Sequence, residues 1–150
     1  MVQKLYLNWS EIDQMIEDLR SQIEESGLTL HSITGIPRGG LVAATCLSHA
    51  LGIPYIPFEA AKDTPERRRQ FILVVDDICD TGGTLVKAAG LLKEKGARTV
   101  RALITHPVLS GNAYENIENS VLEELVVCDT IPLKHESNKI KVLTVADLFA

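Results

Sequence analysis

Cysteine, aromatic residues, positive charge and long apolar runs are all scarce in this chain, and each scarcity closes a class of function. The 150 residues include three cysteines, Cys46, Cys79 and Cys128, odd in number and far apart. That pattern suits neither a disulfide framework nor a zinc cluster. Fifteen Lys and Arg against 20 Asp and Glu leave a formal charge of −5, a poor balance for gripping a polyanion, so no nucleic acid partner is expected. No apolar run approaches the roughly 20 residues of a membrane span. The opening Met-Val-Gln-Lys-Leu-Tyr-Leu lacks the apolar stretch of a secretory signal. What remains is an ordinary globular composition, 45% apolar and 23% charged. Its length suits one domain, residues 1–150. The expected setting is the cytoplasm, away from membranes.

The apolar pattern then orders the chain. Ser10 with Asp13 three residues on reads as a helix start, Ile12, Met15, Ile16, Leu19 and Ile23 recur at helical spacing, and Gly27 is placed to end the helix. Trp9, just before it, is expected to pack onto that helix. From Ser32 onward, short apolar runs alternate with helical stretches. Strands are predicted over Ser32–Ile36, Tyr55–Phe58, Phe71–Val75, Thr99–Thr105, Leu122–Cys128 and Ile140–Thr144. Helices are predicted over Leu41–Leu51, Leu85–Lys95 and Ala113–Ile117. Phe71-Ile72-Leu73-Val74-Val75 is continuously apolar, as a strand buried on both faces must be. This alternation predicts an α/β fold, a Rossmann-like parallel sheet flanked by helices. The one long polar interruption, Glu59–Gln70, reads as an exposed loop carrying Lys62 and the run Arg67-Arg68-Arg69.

Chemistry concentrates where strands end. The strand ending at Val75 runs into Asp76-Asp77-Ile78-Cys79-Asp80-Thr81-Gly82-Gly83-Thr84 and then a helix. In open α/β sheets, ligands bind beyond the carboxyl ends of strands. Thr81, Gly82, Gly83 and Thr84 place small residues and hydroxyls before a helix N-terminus, whose N–H groups and dipole favour an anion. Asp76 and Asp77 would repel a phosphate, so they suit sugar hydroxyls or a magnesium ion, met directly or through water. The loop is therefore read as a sugar-phosphate cradle. Cys79, at a helix start, is either a reactive thiol of lowered pKa or a space-filler. A second loop, Gly35-Ile36-Pro37-Arg38-Gly39-Gly40, brings an arginine and backbone amides to another strand end and suits a diphosphate.

Residues Ile72–Thr84 resemble the binding motif for 5-phosphoribosyl-1-pyrophosphate (PRPP) of the type I phosphoribosyltransferase family. That resemblance implies ribose hydroxyls on Asp76 and Asp77, and the 5-phosphate wrapped by Asp80–Thr84. It also implies the pyrophosphate on Arg38, Gly39 and Gly40, and Asp80 as a general base; Asp80 and Arg38 are thus the catalytic candidates. It further implies Mg2+ as cofactor, PRPP and a nucleobase as partners, a homodimer, and closure of the loop bearing Lys62, Arg67, Arg68 and Arg69.

The two halves resemble different relatives. Residues 3–58, with Tyr6-Leu7-Asn8-Trp9 and Gly35–Leu41, look like xanthine and related purine phosphoribosyltransferases. From Phe71 onward, Thr105-His106-Pro107-Val108-Leu109-Ser110-Gly111-Asn112-Ala113 and Val126–Leu133 resemble the carboxyl half of ribose-phosphate pyrophosphokinase, the enzyme that makes PRPP. His106 stands where purine transferases place a base-reading lysine, so His106 and Ile131 are the base-site candidates, with a structural role for His106 equally open. After Tyr114 only Phe149 remains as an aromatic platform. The main expectation is transfer of the phosphoribosyl group to a 6-oxopurine such as xanthine, guanine or hypoxanthine. The alternatives are a PRPP- or nucleotide-binding regulator without turnover, and a partial or hybrid pyrophosphokinase-like domain with a junction near Gln70.

Overall fold

The computed structural model describes residues 8–65 and 70–145. Five parallel strands form one sheet in the order β1-β2-β3-β4-β5. They are β1 (Ser32–Gly35), β2 (Phe71–Cys79), β3 (Thr99–Pro107), β4 (Glu124–Cys128) and β5 (Ile140–Leu143). The helices are α1 (Trp9–Glu25), α2 (Gly39–Leu51), α3 (Gly83–Glu94) and α4 (Ala113–Glu118), with a 3-10 helix over Phe58–Asp63.

The period-2 alternation of β2 splits the core between two faces. Leu73 and Val75 pack with Ile33, Ala44 and Leu47 on the side of α1 and α2. Ile72 and Val74 pack with Leu85, Ala89, Leu92 and Val100 on the side of α3. Helices therefore cover both faces, as the alternation predicted.

The predicted strand over Tyr55–Phe58 is reduced to one bridge. Tyr55 pairs in parallel with Ile33. The Ile33 N–H donates to the Pro54 carbonyl at 3.0 Å, and the Ile56 N–H donates to the Ile33 carbonyl at 2.8 Å. Phe58 already turns into the 3-10 helix and packs into the α3-side core. The chain thus leaves β1 along one face through α2, touches the far edge of β1 at Tyr55, and returns along the other face to β2. That reversal is a topological switch point, and it opens a crevice beyond the carboxyl ends of β1 and β2.

Three helix starts differ from expectation. The first helix is capped by Asn8, not Ser10. The Asn8 side chain accepts from the Glu11 N–H at 3.0 Å, and Glu11 Oε2 accepts from the Asn8 N–H at 2.6 Å, a full capping box. Trp9 is the first helical residue and is 71% exposed rather than packed down. α2 begins at Gly39 and α3 at Gly83, each two residues before the first apolar position used to predict it.

Candidate functional site

The acidic pair lies within β2, not beyond it. Asp76 registers opposite Ile104 and Ile78 opposite His106, so the strand runs on through Cys79. Sequence apolarity stops at Val75, whereas backbone pairing with β3 continues. The consequence is rigidity: both carboxylates stand on a paired strand.

Beyond the ends of β1 and β2 is a cleft of about 310 Å³, lined by Ile36, Pro37, Gly39, and Asp76 through Leu85. Two helices begin on it. α2 starts after Arg38 and α3 after Gly82, and neither start carries a side-chain cap, in contrast to α1. The Gly40 N–H of α2 is taken up by the Ile36 carbonyl at 3.2 Å, while the other first-turn N–H groups, without side-chain caps, and the positive dipole ends at the cleft suit an anion.

The β1–α2 turn is fixed by close packing. A Cβ on Gly40 would overlap the Val75 carbonyl oxygen, and one on Gly39 would overlap the Asp77 carboxylate. A Cβ on Gly35 would come within 2.6 Å of the Gly40 carbonyl oxygen. The Ile36 N–H donates to the Val75 carbonyl at 2.9 Å, tying the turn to β2. Arg38 bears the strain, with φ 103° and ψ −61°, a region costly to any residue with a Cβ. Its side chain is exposed.

The Asp80–Thr84 turn is fixed differently. Gly82 takes φ 74° and needs no Cβ. The Asn116 amide of α4 donates to the Thr81 carbonyl at 3.0 Å. The Ser110 hydroxyl donates to Asp80 Oδ1. Neither Ser110 nor Asn116 was picked out from the sequence; a polar residue after a strand gives no sign of its partner 30 residues away.

Burial pushes the Asp76 carboxyl up to about 6, and the adjacent Asp77 charge adds to this. The Asp77 N–H, which donates to Asp76 Oδ1 at 3.0 Å, works the other way. A half-buried, destabilised anion beside a second carboxylate lacks counter-charge, so the pair fits a divalent cation or sugar hydroxyls as partners. Among the described residues, no group of three or more His, Cys, Asp or Glu is arranged to hold a metal by itself. A magnesium ion here would take its remaining ligands from substrate or water. Cys79 is buried and its thiol is pushed up to about 11, chiefly by desolvation; it fills space, and the reactive reading is overturned.

The base-side candidates are only partly assembled. His106 is exposed at the end of β3, beside the cleft-lining Ile78, with Nδ1 2.9 Å from Thr130 Oγ1. The Thr130 hydroxyl gives its proton to the Thr105 carbonyl at 2.7 Å, so His106 Nδ1 must be the donor in that pair. Ile131 follows β4 half-buried and outside the cleft lining. Tyr114 is committed elsewhere: its hydroxyl accepts from the Lys134 N–H at 3.0 Å and its ring packs against the core. Lys62 belongs to the 3-10 helix, while Arg67, Arg68, Arg69 and Phe149 lie outside the described residues.

Comparison with known proteins agrees with this fold. Residues 63–150 match the phosphoribosyl synthetase-associated domain family. Ribose-phosphate pyrophosphokinase of Wolinella succinogenes is 63% identical over 79 residues, covering 53% of this chain and 26% of that protein. Its counterpart in Campylobacter jejuni is 44% identical over 131 residues, covering 80% of this chain and 42% of that protein. The crystal structure of phosphoribosylpyrophosphate synthetase from Mycobacterium smegmatis superposes with a TM-score of 0.73 at 26% identity, covering 89% of this chain and 47% of that one. The chain thus spans less than half the length of each of these relatives. The Campylobacter match is longer than the 80 residues from 71 to 150 can supply. Likeness to the pyrophosphokinase therefore enters the amino-terminal part, whose sequence by itself resembles purine transferases. No helix among the described residues is long and apolar enough to cross a membrane.

Proposed function

Since the chain belongs to the phosphoribosyl synthetase-associated domain family, we propose that it binds the ribose-phosphate partner in PRPP chemistry of the pyrophosphokinase kind. The ligand is ribose 5-phosphate or PRPP, bound with Mg2+. The observation that carries this reading is the pair of uncapped helix starts on one cleft, with Asp76 and Asp77 between them. One anion sits on Thr81–Thr84, the sugar hydroxyls lie against the carboxylates, and a second anion sits on Arg38, Gly39 and Gly40. Mg2+ held through Asp76 and Asp77 would neutralise charge on the pyrophosphate group. The protein's own part is to orient the sugar and to stabilise charge gathering at the Arg38 turn. Contacts to the nucleoside triphosphate come from a further domain or a second copy, with a homodimer as the simplest form. The expected setting is cytoplasmic.

Transfer to a 6-oxopurine is the second reading. It is favoured by the strained Arg38-Gly39-Gly40 turn and weakened by the engagement of Tyr114, which leaves Phe58, half-buried in a hollow that shares Ile36, Pro37 and Thr84 with the cleft, as the described aromatic beside it. A purine deprived of stacking loses about 1–3 kcal/mol. The third reading is a regulator that binds PRPP unchanged.

Titration calorimetry with ribose 5-phosphate and PRPP, each with Mg2+, tests the site. Chromatography of PRPP incubated with a panel of free bases, and of ribose 5-phosphate incubated with ATP, separates the readings. Saturable binding of both sugar phosphates is expected. Nucleotide formation from one base would restore the transferase reading, and binding without turnover in either incubation would favour the regulator. Binding of neither sugar phosphate at millimolar concentration would end the proposal.

A further inference from the structure

The turn that receives the phosphate contains a carboxylate, Asp80, immediately before Thr81. A negative charge free to swing over an anion cradle would repel the ligand the cradle is built for. The structure shows where that charge is held. The loop after β3 crosses the phosphate turn: the Leu109 N–H donates to the Cys79 carbonyl at 3.1 Å and the Ser110 N–H to the Asp80 carbonyl at 2.9 Å. The Ser110 hydroxyl then closes onto Asp80 Oδ1. Leu109 adopts φ 45° although it is not glycine, and it is buried at 3% exposure. A left-handed leucine is strained, and here it bends the loop so that Ser110 reaches Asp80.

We infer that Ser110 is a positioning residue that parks the Asp80 carboxylate beside the phosphate turn and keeps the Thr81–Thr84 cradle open to an anion. This rests on the reading of the cleft as a sugar-phosphate site. It also assigns Asp80 a fixed orientation, with one carboxylate oxygen committed to Ser110 and the other available to a donor on the bound sugar or its reaction partner.

The test is a double-mutant cycle read by binding of ribose 5-phosphate with Mg2+. Ser110→Ala frees the charge, and a unit charge a few ångströms from a phosphate in a partly solvated cleft weakens binding by about tenfold. Ser110→Thr keeps the hydroxyl and the affinity. Asp80→Asn placed on Ser110→Ala removes the charge and recovers most of the loss. If Ser110 only scaffolded the loop, Asp80→Asn would change affinity by the same factor in Ser110→Ala as in the parent, and that result overturns the inference, as does unchanged affinity in Ser110→Ala. Three-bond couplings at Asp80 give a readout without ligand: one side-chain rotamer in the parent and in Ser110→Thr, averaging in Ser110→Ala. Should the parent protein bind no ribose 5-phosphate, the proposed function fails, while the couplings still decide the role of Ser110.

Discussion

The cleft is framed by two turns whose shapes are set by opposite means. In the Ile36–Gly40 turn, contacts among backbone atoms and missing side chains set the shape, and one residue, Arg38, is bent into strain to complete it. In the Asp80–Thr84 turn, hydrogen bonds from the β3–α4 loop and α4 set the shape, through Leu109, Ser110 and Asn116. The first turn is built by exclusion, the second by bracing. The family match covers the braced turn and all that follows it, residues 63–150. A braced turn ties its sequence to partners far along the chain, whereas an excluded one constrains mainly its own glycines.

The comparison breaks most sharply at one glycine on each side. Gly40→Ala forces a Cβ onto the Val75 carbonyl oxygen, which cannot move without opening β2. A loss of about 3 kcal/mol in unfolding free energy is expected. Gly83→Ala would meet only Thr81 Oγ1 at 3.7 Å, an ordinary contact, so its stability should be unchanged or slightly raised by helix propensity. Denaturant titration of both variants decides the point. Equal losses would mean that both turns depend on exclusion.

Next comes Arg38. Replacing it with glycine releases a conformation that costs on the order of 1–3 kcal/mol, so Arg38→Gly should stabilise the fold by about 2 kcal/mol. The same change removes the guanidinium and should lower affinity for inorganic pyrophosphate. A variant neither more stable nor weaker in binding would show that the strain is relieved elsewhere and that the side chain does not reach the anion.

Asp76 gives a smaller effect with a defined pH window. Its carboxyl is raised from the ordinary 3.8 to about 6 in the folded state, so the folded protein holds this proton more tightly than the unfolded chain does. The contribution to stability is complete below about pH 4 and is lost as pH rises through about 6. Asp76→Asn should therefore stabilise the protein at pH 7 by about 1.5 kcal/mol after allowance for solvent screening, and by nothing near pH 3.5. Thermal unfolding across that range checks the sign. Mg2+ should shrink the gain by stabilising the parent alone.

Much of this was legible in the sequence, for reasons that individual residues make plain. Phe71–Val75 announced a buried strand because five consecutive apolar residues leave few other options, and Asp76–Thr84 stands out as a candidate site because two adjacent acids and two glycines near a strand end are costly without a use. The Tyr55 bridge was overread as a strand, since a short apolar run gives no hint that the chain is about to switch faces. Asn8 was passed over as a cap in favour of Ser10; both can cap, and only the Glu11 reply to the Asn8 N–H distinguishes them. Ser110 was invisible because its role depends on a carboxylate 30 residues earlier in the chain.

The smallest effect extends the contrast into the strands beneath the two turns. β2, which leads to the braced turn, is apolar through its buried stretch, Ile72–Val75. β1, which leads to the strained turn, buries Ser32 and Thr34 at 0% and 1% exposure, and neither hydroxyl finds a hydrogen-bond partner among the described residues. Thr34 registers opposite Val74 and its hydroxyl is buried without a partner among the described residues, an arrangement that forfeits hydration without compensation. Valine has nearly the same shape without the oxygen. Thr34→Val should therefore raise the unfolding free energy by about 1 kcal/mol while leaving sugar-phosphate affinity untouched, since Thr34 does not line the cleft. A loss of stability would mean that a buried water satisfies Ser32 and Thr34 together, and β1 would then be braced after all, by solvent instead of side chains.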